Sequence, residues 1–75
     1  MKSIVVENIK RIIKTQDLKK RAVATRAGLT PQNLSDMLAG RKIIKDTDIV
    51  PLANALGVTP NDLFGIDSND EKRVG

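Results

Sequence analysis

Two stretches of the chain, AGLTPQNL (residues 27–34) and LGVTPNDL (residues 56–63), spell one phrase: glycine, an aliphatic residue, Thr-Pro, two polar residues and Leu. Gly28 and Gly57 follow apolar runs and suit the left-handed position that ends a helix. Thr30 and Thr59 then fit as N-caps, whose hydroxyl oxygen accepts an unpaired backbone N–H. Pro31 and Pro60 follow at the first helical position, where a missing N–H costs nothing. Each phrase therefore dictates a helix end, a tight turn and a new helix.

The rest of the pattern fits the same scheme. Val5, Ile9, Ile12 and Ile13 recur at helical spacing, which predicts a first helix from about Ser3 to Thr15, with Lys10, Arg11 and Lys14 on its other face. Asp17 and Leu18 form a connector. Further helices are expected over about 19–27, 31–39, 47–56 and 60–64, with Gly40 and Gly65 as stops. Asp46 or Asp48 would cap the fourth, with Pro51 in its first turns. Val23 points inward, and Ala24 and Ala27 act as small packing residues. Phe64 is assigned to the core, packing the fifth helix onto Leu56 and Leu63. No β-type alternation of useful length occurs, so the fold class is all-α, with five helices. Residues 1–66 form the domain, and 67–75 a polar tail expected to be disordered. Ile66 is a candidate for a dimer contact.

Composition excludes several classes of function. Seventy-five residues make one small domain near the lower limit for a self-sufficient core. There is no Cys and no His, so disulfides, thiolate metal sites and the commonest general base are absent from the sequence. The hydroxyls of Ser and Thr have no base beside them, and no glycine pattern of a nucleotide-binding loop occurs. The expectation is a non-enzyme with no metal and no cofactor. No apolar run approaches the roughly 20 residues of a membrane span, and residues 1–7 carry no signal-peptide pattern. A cytoplasmic protein without a membrane partner is expected.

Charge divides the chain. Residues 1–45 hold eleven Lys or Arg against three acids, a net of +8, while residues 46–75 hold two against six, a net of −4. That asymmetry points to a polyanionic partner for the first half. Two helices joined by a short Gly-containing turn, the second of them capped, make a helix-turn-helix. Ala24 lies four residues before Gly28, which suits a close crossing, and Leu34, Met37 and Leu38 share one face of the third helix. The opposite face holds Gln32, Asp36 and Ala39, flanked by Asn33 and Ser35. It is small and polar, without Lys or Glu, as a surface that approaches base edges would be.

The segments KKRAVATRAGLTPQNLSDMLAGRK and IVPLANALGVTPNDLFG together resemble the phage Cro/C1-type helix-turn-helix family, also called the XRE family. The resemblance covers about residues 8–65, and Ala24, Gly28 and Leu34 with the later LANALGVTPNDLFG carry it. It implies a compact five-helix, lambda-repressor-like DNA-binding domain whose helix after the first turn enters the major groove of double-stranded operator DNA. It also implies a homodimer on a two-fold symmetric site.

Carried over by position, the resemblance makes Gln32 and Asp36 the principal base readers, with Thr30, Asn33 and Ser35 beside them. Lys20, Arg41, Lys42 and Lys45 become phosphate contacts, and Gly28 the turn residue. The sequence departs from the family's pattern at three places. Lys19 stands where a Ser or Thr cap is usual, the loop lacks a Pro near Ile44, and Asp36 brings a negative charge to the DNA side. Two readings of Asp36 stand side by side: it accepts from a cytosine N4 amine, or it pairs with Arg41 or Lys42 and orients them. Asn33 equally serves the Thr30 cap. The resulting expectation is a sequence-specific transcriptional repressor of bacterial or phage type. The alternative is a protein-interaction module on the same fold, such as an antitoxin.

Overall fold

The computed structural model describes residues 3–65, and the expected tail and Ile66 lie outside the described residues. In chain order the helices are α1 (Ile4–Thr15), α2 (Lys20–Arg26), α3 (Pro31–Leu38), α4 (Asp46–Leu56) and α5 (Pro60–Phe64). The described residues contain no strand. The expected boundaries hold to within a residue or so.

The first four helices end in one way. A residue with positive φ follows the helix, and the next N–H reaches back five residues to a helical carbonyl, which satisfies a group the helix leaves unpaired. Leu18 donates to the Ile13 carbonyl at 2.9 Å, Leu29 to Ala24 at 2.8 Å, Arg41 to Asp36 at 2.8 Å, and Val58 to Ala53 at 3.0 Å. The left-handed residues are Asp17 (φ 54°), Gly28 (75°), Gly40 (83°) and Gly57 (73°). Three of the four are glycines, as the backbone requires; Asp17 is tolerated because its short polar side chain visits this region more readily than most.

The starts divide into two kinds. Ser3, Thr30 and Thr59 cap α1, α3 and α5 with side-chain oxygens that accept from the N–H groups of Val6, Asn33 and Asp62. Asp62 reciprocates by accepting from the Thr59 N–H at 2.9 Å, which completes a capping box. The N-caps of α2 and α4 are Lys19 and Lys45, side chains that carry no acceptor. Only half of a box forms at α4, where the Asp48 carboxylate accepts from the Lys45 N–H at 2.9 Å.

The repeated phrase is longer in three dimensions than in its eight letters. Ala24 and Ala53 occupy the same place in their helix ends, Leu34 and Leu63 the same place in the helices that follow, and all four are fully buried. Around them α2 packs on α3 and α4, while α1 packs on α5, α3 and α4. Val5, Ile9, Ile12 and Ile13 give α1 its buried stripe. Each fully buried aliphatic side chain of this kind contributes about 1.5–3 kcal/mol of transfer free energy.

Asn8 lies on that stripe and is also buried. Its Nδ2 donates to the Leu63 carbonyl at 2.9 Å, and its Oδ1 accepts from Arg11 at 3.3 Å, so both ends of the amide are used. The bond fastens α1 to α5.

Phe64 is not a core residue, contrary to the expectation from sequence. It is 44% exposed. Adjacent helical residues are about 100° apart, so a five-residue helix can aim only one of Leu63 and Phe64 inward. Leu63, the counterpart of Leu34, takes the slot. Ala27 is only half-buried, whereas Val23 and Ala24 are buried as expected. Pro51 sits inside α4, in its second turn.

Candidate nucleic-acid interface

The helix-turn-helix comprises α2, the turn at Gly28 and α3. Ala24 at the end of α2 has no side chain beyond Cβ, which lets α3 cross close by, and Leu34, Met37 and Leu38 bury the inner face of α3. The outer face is thereby fixed. Gln32 and Ser35 are exposed on it, and Asn33 and Asp36 are half-buried.

Three of the expected site residues meet directly. The Gln32 amide donates through Nε2 to Asp36 Oδ1 at 3.0 Å. Arg41 donates through Nε to the same oxygen at 3.1 Å, and this contact is also an ion pair. The Asp36 backbone takes part as well, since its carbonyl accepts from the N–H groups of Arg41 and Lys42 at 2.8 and 3.1 Å. Asp36 thus fastens the start of the basic loop to α3 twice, through main chain and side chain. Of the two partners open in the sequence, the carboxylate takes Arg41 and not the Lys42 side chain.

Thr30 and Asn33 are joined by the cap: Thr30 Oγ1 accepts from the Asn33 N–H at 3.0 Å. Thr30 therefore commits one lone pair of its hydroxyl oxygen to the helix start and keeps the other and its hydroxyl hydrogen. Lys20 is the first residue of α2, Lys42 lies in the loop after α3, and Lys45 is the N-cap of α4. All three are exposed, and among the described residues none of them makes an ion pair. No hydrogen bond ties their side chains to the Gln32–Asp36–Arg41 group.

Chemically the surface offers amide and hydroxyl donors and acceptors in its middle and cations beside them. Among the described residues no group of acids, His or Cys could hold a metal ion, and no helix is long and apolar enough to cross a membrane. Such a surface suits hydrogen bonding to base edges and charge pairing with phosphates.

Residues 9–63 match the model of a helix-turn-helix family, which spans most of the chain and all of α2 to α4. The chain belongs to the Cro/C1-type helix-turn-helix family. Neither the curated proteins nor the solved structures contain a match. As a Cro/C1-type protein it is a DNA-binding helix-turn-helix regulator with the five-helix, lambda-repressor-like architecture of that group.

Sequence reasoning missed Asn8. Its spacing was the available signal: it lies three residues after Val5 and four before Ile12, a polar side chain on an apolar stripe. Its role in this Cro/C1-type domain is to hold the frame on which the helix-turn-helix is mounted.

Proposed function

We propose that this regulator is a sequence-specific repressor that lays α3 in the major groove of a two-fold symmetric operator, one copy of the chain on each half-site. Gln32, Ser35, Asn33 and Thr30 face the bases, with Asp36 among them on α3, and Lys20, Arg41, Lys42 and Lys45 contact phosphates. Its setting is the cytoplasm of a bacterium, with the gene chromosomal or phage-borne.

The observation that carries this reading is the contrast between the α3 face and its surroundings. The exposed positions of α3 are short and neutral apart from Asp36, whose charge Arg41 offsets, whereas the adjoining loop and the start of α2 are cationic. The helix caps support it. A Ser, Thr, Asp or Asn N-cap is worth about 0.5–2 kcal/mol over a residue with no acceptor, and a cation at a helix N-terminus opposes the macrodipole. Lys19 and Lys45 forgo that stability at two of five helix starts, while the starts of α1, α3 and α5 keep their Ser or Thr. Local rules broken in this way are expected where binding outweighs stability.

The test is selection of bound sequences from a random double-stranded pool. Enrichment of a symmetric consensus supports both the sequence reading and the two-copy arrangement, and an asymmetric consensus removes the second. No enrichment at all would overturn the proposal and favour a protein partner.

A further inference from the structure

We infer that Asp36 is a positioning residue: it sets the orientation of the Gln32 amide and of the Arg41 guanidinium, and it does not itself read a base. The inference rests on the proposed DNA-reading function of α3.

A glutamine amide can present its two ends in either order. A base edge distinguishes the two, because adenine offers N6–H as donor and N7 as acceptor in a fixed sequence along the groove. In this chain the choice is made within the protein. Gln32 Nε2 donates to Asp36 Oδ1 at 3.0 Å. The flipped amide would set its oxygen against a carboxylate oxygen and lose the bond. Asp36 therefore selects one flip and leaves Gln32 with one N–H and its Oε1 for a partner outside.

The same oxygen accepts from Arg41 Nε. This uses the one guanidinium nitrogen on the stem side and does not engage the two terminal nitrogens, with their four N–H groups. Arg41 is well exposed while Asp36 is largely covered, with side-chain exposures of 66% and 27%. The carboxylate thus sits behind the two side chains it organises. Its charge is offset by Arg41, which removes the difficulty of an acid on a surface that approaches phosphates. A pair this exposed adds little to stability, so the contact is better explained by the geometry it imposes.

The experiment measures affinities of wild type, Gln32→Ala, Asp36→Ala and the double variant for the selected operator and for operators changed at each half-site position. Asp36→Ala should reduce discrimination at the base pair that Gln32 reads by about threefold to tenfold. That loss should vanish in the Gln32→Ala background, since nothing remains to be oriented. Asp36→Asn keeps the shape and an acceptor but can itself flip, and it should lose part of the discrimination. Melting temperatures close to wild type separate these effects from unfolding. A preference that changes at a different base pair and persists without Gln32 would show that Asp36 reads a base, and unchanged discrimination in both Asp36 variants would show that it orients nothing. A wild-type protein without sequence preference would overturn the DNA-reading proposal and this inference together.

Discussion

The Asn8 side chain donates to the Leu63 carbonyl across 55 residues of sequence, and both residues are buried. Asn8→Ala removes the bond that this carbonyl accepts from a side chain among the described residues. The expected loss is about 1–3 kcal/mol, the cost of an orphaned buried acceptor. The chain has no Trp and no Tyr, so denaturant unfolding is best followed by far-ultraviolet circular dichroism. Wild-type stability in this variant would mean that the bond contributes nothing.

The helix ends yield a pair of opposed predictions. At Gly28 an added Cβ meets nothing within 4 Å, so any damage from substitution comes from the φ of 75° and not from crowding. Gly28→Val should lose more than about 1 kcal/mol, because a β-branched residue resists that conformation. Asp17 already occupies the same conformation at the end of α1, and Asp17→Gly should raise the melting temperature by relieving a strain of about 1 kcal/mol. Thermal melts of the two variants should move in opposite directions from wild type.

Lys45→Thr should stabilise the fold and weaken DNA binding at once. Threonine at 45 would complete with Asp48 the box that Thr59 and Asp62 already form, a gain of about 0.5–2 kcal/mol. Losing the cation should flatten the plot of log affinity against log salt by about 0.9 per phosphate contact. Lys42→Ala, which touches no cap, should change the slope alone. A Lys45→Thr protein that is more stable and binds DNA with an unaltered salt slope would remove Lys45 from the phosphate contacts.

Gln32→Ala should cost about 1–3 kcal/mol against the preferred base and leave affinity for random DNA nearly unchanged. Titrations against a set of operators with each position varied would show relaxed preference at one symmetric pair of positions. Uniform weakening on every sequence would assign Gln32 a structural role.

The helices were legible largely because the ends of α2 to α5 and the starts of α3 and α5 are written in Gly, Thr and Pro, residues with few other uses at those positions. The exceptions are instructive. Asp17 holds a left-handed position without being glycine, so the end of α1 looked like an unspecified connector. Phe64 and Leu63 are both apolar at the end of a very short helix, and only the correspondence with Leu34, followed by the polar Ser35, indicates which one faces inward. The outer face of α3 followed from helical periodicity. The partner of Asp36 did not, because Arg41 and Lys42 are neighbours in sequence, and it is the left-handed turn at Gly40, with Arg41 bonded back to Asp36, that brings the arginine alongside. The tie between Asn8 and Leu63 joins residues 55 apart in sequence, and no local pattern encodes such a pairing.

The uniform helix endings have a kinetic consequence. Every stop signal from α1 to α4 is a bond to a carbonyl no more than five residues back, and every hydroxyl cap reaches three residues ahead. Helix lengths and registers are thus specified by local bonds, without reference to another helix. Domains dominated by such local contacts fold on the order of microseconds to milliseconds. The contact that closes the longest loop is that of α1 with α5, over most of the described chain. If α1 and α5 dock after the barrier, weakening the Asn8 bond should hasten unfolding and leave the folding rate nearly unchanged, whereas disturbing the turn at Gly28 should slow folding itself.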